Sequence, residues 1–214
     1  MMRQVMVFTI MAFATACGTA RVHVTPDAVS LNSDPHVCPA RVALHIDPSI
    51  IQCSTTATTH PFGAGLGYGA IEVRYDFANA LAGTIENVVR QHFRESLRAD
   101  GESCPAGADA IIDAKLAKPA EITVRWVTQE FGEGGGAAIQ LAVDVIARRC
   151  DGRTVWHTVA QGYGSEERTE GGFLWNDPAP QQFEPAATAA LLELARQFDR
   201  ALDNADLTVL TTSP

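Results

Sequence analysis

Ile139-Gln140-Leu141-Ala142-Val143-Asp144-Val145-Ile146-Ala147-Arg148, then Asp151-Gly152, then Thr154-Val155-Trp156-His157-Thr158-Val159-Ala160 is the stretch that decides the fold class. Ile139, Leu141, Val143 and Val145 alternate with Gln140 and Asp144, the two-residue repeat of a strand with one buried face. Asp-Gly between two such runs is a hairpin turn, because glycine adopts the left-handed backbone without a Cβ clash. Upstream, Glu121 to Phe131 keeps the same period, with Ile122, Val124, Trp126 and Thr128 on one face. Gly132-Glu133-Gly134-Gly135-Gly136 reads as a long hairpin connection. Residues 121–163 are therefore expected to form an antiparallel meander.

Working outward, Arg41 to Ile46 alternates, with Val42, Leu44 and Ile46 on one face, and Asp47-Pro48 ends it. Ile71 to Tyr75 reads as a strand entered through Gly63, Gly65, Gly67 and Gly69, and Ala108 to Leu116 leads toward another. Phe77, Leu81, Ile85, Val88, Val89, His92, Phe93 and Leu97 recur at three-four spacing. That spacing predicts an amphipathic helix over 77–99, capped by Asp76 and stopped by Gly101. His92 falls near its apolar stripe and reads as a packed or edge residue. A last helix opens at Pro185 and buries Ala186, Ala187, Ala190, Leu191, Leu194, Ala195, Phe198 and Leu202. Its alanines allow close approach to a neighbour. Ser165 to Gln182 reads as a long irregular loop. The expected class is α+β: an antiparallel or mixed sheet of four to five strands with two helices on one face. It fills a single domain over 38–205, followed by a flexible tail over 206–214.

The first residues have a different character. Arg3 precedes an apolar run, Val5 to Ala14, and Thr15-Ala16-Cys17-Gly18 follows. Ten apolar residues fall short of the roughly 20 that span a bilayer. A positive start, a short apolar core and small residues make an export signal over 1–16. All four methionines of the chain lie within it. Ala14-Thr15-Ala16-Cys17 resembles the lipobox of bacterial lipoproteins, in which the cysteine is acylated. That resemblance makes Cys17 the lipidated residue and 17–37 a lipidated tether. Gly18 in place of aspartate points, by the same resemblance, to the periplasmic face of the outer membrane. The alternative is an ordinary secretory signal with Ala14-Thr15-Ala16 as its cleavage site.

Export also sets the redox context. Of five cysteines, Cys38, Cys53, Cys104 and Cys150 remain once Cys17 is set aside, an even number in a disulfide-permissive compartment. Three pairings are possible. Cys38 and Cys53 flank the first strand of the expected domain, and Cys104 and Cys150 each sit beside a turn, so 38–53 with 104–150 is favoured. The net charge of −9 opposes nucleic acid and offers no polybasic route to anionic lipid.

Motifs for chemistry are sparse. Gly63, Gly65, Gly67 and Gly69 do not give a dinucleotide fingerprint, and no P-loop lysine follows. No nucleophile elbow surrounds a serine, and no His-Glu-x-x-His occurs. His23, His36, His45, His60, His92 and His157 are scattered. The expectation is a protein that is not an enzyme and carries no cofactor or metal. Phe173-Leu174-Trp175, set between acidic and proline-containing flanks, is the candidate partner-binding stretch.

In order, a lipobox is followed by a strand, a helix and a meander centred on Asp151-Gly152-Arg153 and Val155-Trp156, and an alanine-rich helix closes the chain. Over 40–203 this resembles small Gram-negative envelope lipoproteins of the YajG type and the auxiliary lipoproteins associated with ABC-type transport. The resemblance implies a scaffold or adaptor and supplies no catalytic residues. Two functions are expected from it. One is an adaptor or assembly factor that acts on another envelope protein through an exposed patch or an unpaired strand edge. The other is a binding module for a lipid or other apolar ligand, with a pocket lined by Phe77, Leu81 and Trp126.

Overall fold

The computed structural model describes residues 18–32, 37–60, 68–129, 132–171 and 180–210. Nine strands and three α-helices are formed by these residues: β1 Gly18–Val24, β2 Cys38–Ile46, α1 Pro48–Ile51, β3 Ser54–Thr59, β4 Tyr68–Asp76, α2 Ala78–His92, β5 Phe93–Ala99, β6 Ala110–Leu116, β7 Glu121–Gln129, β8 Gly132–Arg149, β9 Thr154–Gly171 and α3 Glu184–Asp203. Short 3-10 turns cover Pro180–Gln182 and Leu207–Leu210.

The Asp151-Gly152 turn closes as its sequence requires. Gly152 takes a φ of 88°, and its N–H donates to the Arg149 carbonyl at 2.9 Å. Arg153 N–H donates to the Asp151 carboxylate at 3.0 Å. The two strands it joins pair at Arg148↔Thr154, shift register at Val155, and then run unbroken from Ala147↔Trp156 to Gly132↔Gly171. Strand β8 is the spine of the larger sheet. One edge carries β9 along its whole length; the other carries β6 over Val143–Arg149 and β7 over Gly132–Gln140. Strand β2 continues the sheet, parallel to both β6 and β5. A second sheet has the order β1-β4-β3, with β1 parallel and β3 antiparallel to β4. Its β3 lies alongside β7.

One continuous core joins these layers. Leu44 and Ile46 stand beside Ile112 and Ala114, and these beside Ala147 and Val145, on one face of the larger sheet, with Val42 beside Ala110 and Leu116 beside Val143. Against that face lie Leu81, Ile85, Val88 and Val89 of α2 and Leu191, Leu194, Ala195 and Phe198 of α3. The helix spacing read from sequence is thus the spacing of the buried stripe. Helix α3 comes closest to the sheet over two glycines. A Cβ at Gly162 would sit 2.0 Å from the Ala190 carbonyl oxygen, and one at Gly164 the same distance from that of Ala186. The alanine-rich face and the glycines of β9 are complementary, backbone against backbone. Phe198 stacks on Trp156 with ring centroids 6.1 Å apart.

The class is α+β, but the sheet description differs from expectation: six and three strands in two sheets replace one of four to five. Three added strands account for this, β1, β5 and β3 (Ser54–Thr59, a threonine-rich run that pairs with β4), and three boundaries also move. Residues 18–24, expected within a tether, form β1, and Val22 and Val24 are buried. Helix α2 ends at His92, where Phe93 turns to an extended backbone (φ −123°, ψ 141°) and enters the core. Residues 93–99 then pair with the β2 edge, which offers them a ladder in place of the last helical turns. The glycine run 132–136 is strand, because β7 and β9 hydrogen-bond it from both sides. That pairing also carries β9 on to Gly171, through residues expected to be irregular. Beyond Asp206, Leu207 and Leu210 are buried, so this part of the expected tail belongs to the fold.

Candidate partner-binding surface

The face of the larger sheet turned away from the helices carries its polar chemistry. Alternation sends Arg41, His45, Asp113, Lys115, Asp144, Arg148 and His157 outward. They pair across strands. His45 Nδ1 lies 3.1 Å from Asp113 Oδ1, and Arg148 Nε donates to Asp113 Oδ2 at 2.9 Å. The Asp113 carboxylate, through hydrogen bonding first and charge second, raises the pKa of the Arg148 guanidinium. Asp144 takes His157 Nε2 at 2.5 Å and Lys115 Nζ at 3.5 Å. Arg41 makes two bonds to Glu95, at 2.7 and 3.1 Å. This is a mixed-sign lattice with its charges locally matched.

Strand β9 closes that lattice on one flank and differs from it in chemistry. Its outward residues are His157, Val159, Gln161, Tyr163, Ser165 and Glu167. Val159 is 42% and Tyr163 61% exposed. Among the described strands β9 pairs with β8 alone, so its other edge presents backbone groups. Gln197 of α3 reaches over that edge and accepts the Gln161 N–H at 2.9 Å. The Gln161 backbone therefore points away from β8, and by the two-residue repeat so do those of Val159 and Tyr163. An apolar side chain, an aromatic side chain and a main-chain edge that no described strand covers, capped at Gln161 by Gln197, converge on one strip. Farther along the same face, Arg125 and Glu167 approach to 3.9 Å. They cross over Gly136, where a Cβ would meet Glu167 Cγ at 2.5 Å.

The residues singled out from sequence fare differently. Cys17, Phe173, Leu174 and Trp175 lie outside the described residues. Cys104 and Cys150 are disulfide-bonded, with Cα atoms 5.3 Å apart, which ties the turn before β6 to the β8–β9 hairpin. Cys38 and Cys53 are not bonded to each other; both are free and buried. The expected 38–53 bridge fails for a geometric reason. Cys38 pairs with Phe93 beyond the end of α2, whereas the Cys53 carbonyl accepts from Phe77 at its start, so the length of that helix separates two cysteines whose Cα atoms a disulfide needs within about 7 Å. Burial and, secondarily, the Asp76 charge push the Cys53 thiol up to about 11. Cys38 Sγ donates to the Leu207 carbonyl at 3.6 Å.

His92 is 1% exposed. Its Nε2 lies 2.8 Å from Asp199 Oδ1, and its Nδ1 lies 3.8 Å from Asp203 Oδ1, so it clips α2 to α3. A cleft of about 250 Å³ beside it is lined by Val37, Cys38, Leu202 and Asp203, among others. Phe77 and Leu81 are fully buried in the common core, and Trp126 packs on Phe183 with centroids 6.5 Å apart. None of these three lines that cleft or the two others beside Leu192 and Leu97. Sequence reading missed Val159 and Tyr163. Both lie within the expected meander and share the parity of His157, opposite to buried Ala160, and that parity was the available signal.

No protein-family model matches the sequence, and no curated protein does. Among solved structures the chain is similar to protein XCC0632 from Xanthomonas campestris, described with the DUF330 family model. That match has 13% identity and a TM-score of 0.37 and covers 90% of this chain and 89% of that one. It is also similar to the hypothetical protein CT253 from Chlamydia trachomatis, at 8% identity and a TM-score of 0.34, covering 76% of this chain and 98% of that one.

Proposed function

We propose that this protein is a lipid-anchored envelope lipoprotein, acylated at Cys17 and facing the periplasm from the outer membrane. In this reading it is not an enzyme, and it works as an adaptor or assembly factor by holding another envelope protein. The observation that carries the contact half is β9: eighteen residues that, among the described strands, pair with β8 alone, with Val159 and Tyr163 standing out from a charge-matched face. Exposed aromatic residues beside a free strand edge suit addition of a partner strand, in which main-chain bonds supply affinity and side chains supply choice. Phe173-Leu174-Trp175 begins two residues after β9 ends, so the candidate stretch from sequence is covalently continuous with this strip. The lipid-carrier alternative draws less support, because Phe77 and Leu81 are fully buried in the core, Trp126 packs on Phe183, and none of the three lines the three clefts described above.

A photo-crosslinking amino acid at position 163, in native membranes, tests the reading. Position 56 on exposed β3 serves as control. A discrete adduct from 163 and none from 56 is expected. Tyr163→Ala combined with Val159→Ser is expected to cut recovery of that adducted partner about tenfold without lowering the melting temperature. An adduct pattern identical at both positions overturns the surface.

A further inference from the structure

We propose that the protein stands directly on the bilayer, with the Gly18–Tyr68 end of the β1-β4-β3 sheet against the lipid surface, and that no spacer separates anchor from domain. This deepens the lipoprotein reading and rests on it. The residue after Cys17 is Gly18, the first residue of β1. From Thr19↔Ala70 to Val24↔Tyr75 the strand is in unbroken parallel register with β4. Val22 and Val24 are buried in the common core. The strand is an integral layer of the sheet.

The chain that follows is held as well. Val29 N–H donates to Thr84 Oγ1 at 3.1 Å, Asn87 Nδ2 donates to the Val29 carbonyl at 3.0 Å, and Gln91 Nε2 donates to the Leu31 carbonyl at 2.6 Å. Thr84, Asn87 and Gln91 are spaced by three and four residues and form one stripe of α2. Ala28 packs so closely on α2 that a Cβ at Gly83 would lie 2.8 Å from its own. From Gly18 to Leu31, then, the chain has no slack to pay out.

The consequence is metric. A flexible chain of fifteen residues would let the domain wander about 20 Å from its anchor. Here the free length is a single residue, about 3.5 Å. The end of the sheet that holds Gly18 and Tyr68 is therefore kept at the headgroups, and the end that holds Val24, Tyr75 and Ser54 points away. Covalent acyl chains hold this contact, as the net charge of −9 supplies no attraction to anionic lipid.

Thr58 and Ser54 are both exposed on one face of β3. Thr58 pairs with Glu72 and Ser54 with Asp76, so Thr58 is nearer the proposed lipid end by four residues, about 13 Å. The lipidated full chain would be placed in phosphatidylethanolamine–phosphatidylglycerol vesicles carrying a headgroup acceptor dye. A donor dye would be introduced at position 58 or 54 through an unnatural amino acid. Higher energy transfer from 58 than from 54 is expected. A ten-residue glycine-serine insertion after Cys17, starting with glycine, should lower transfer from both sites and erase the difference. Equal transfer from the two sites without the insertion, or an insertion with no effect, overturns the proposal. Palmitate labelling of the same preparation separates the two levels. No label on Cys17 sinks the lipoprotein reading and the docking with it, whereas label with equal transfer sinks the docking alone.

Discussion

Cys53 is a thiol held in its neutral form by its surroundings. Burial disfavours the thiolate, and the nearby Asp76 carboxylate disfavours it further, so its pKa stands near 11. Cys38 is buried at the far end of β2 with its sulfur turned to the Leu207 carbonyl. Among the described residues neither has a partner within disulfide reach. Cys53 is enclosed, whereas Cys38 lines the cleft beside His92, so iodoacetamide at pH 8 should leave Cys53 unmodified in the folded protein. In denaturant without reductant it should add two adducts, mapped to residues 38 and 53 by mass spectrometry. Rapid alkylation of Cys53 in the folded state would contradict the burial. The cysteine count was readable from sequence, and so was the 104–150 pairing. The fate of the other two was not, because chain proximity across a strand was read as spatial proximity. His92 shows the opposite case: its place on the helical stripe was legible, but Asp199 and Asp203 are more than a hundred residues away and nothing local announces them.

At the scale of elements, β9 and α3 meet through the smallest residues available. The carbonyl oxygens of Ala186 and Ala190 lie where the Cβ atoms of Gly164 and Gly162 would be. Gly162→Ala cannot be accommodated by a side-chain rotation, since the obstacle is backbone, so α3 must move off the sheet. The expected loss is about 3 kcal/mol, read from urea unfolding. Gly101→Ala, where an added Cβ meets nothing within 4 Å, should change stability by less than about 0.5 kcal/mol. Equal effects of the two would show that the helix does not seat on the glycines. The alanine pattern of α3 announced a close approach; it did not name the strand approached. The boundary at His92 was hidden for a related reason. Phe93 and Leu97 extend the helical period, and only the vacant edge of β2, a tertiary partner, draws 93–99 into a strand. The glycine run 132–136 misled in the same way, since glycine is permissive and its neighbours decided its conformation.

The whole molecule is long-range in its wiring. β1 joins β4 across some fifty residues, β2 joins β5 and β6 across a similar span, and one disulfide closes a separation of 46 residues. Chain entropy for a loop of that length amounts to about 4 kcal/mol. Cys104→Ser with Cys150→Ser should destabilise by about 3–4 kcal/mol in the unfolding midpoint, with the α+β circular dichroism retained below it. A change under 1 kcal/mol would mean that the turn before β6 is held by other contacts. Local patterns predicted the helices, the meander and the α+β class, because these rest on periodicity. They did not predict two sheets: Ala20, Val22 and Val24 alternate with Arg21 and His23 as a strand would, but the stretch reads as part of the tether, and its partner β4 lies some fifty residues away.

The direction in which β1 runs has a mechanical consequence. A pull on Cys17 along the strand axis, with the body held at its far end, slides β1 lengthwise against its parallel neighbour. The ladder from Thr19↔Ala70 to Val24↔Tyr75 is then loaded in shear, and its bonds share the force and must break together. A hairpin edge tugged at its tip would open one bond at a time. For a chain anchored at Cys17, as proposed above, the link to the body would thus be strongest along the axis of β1.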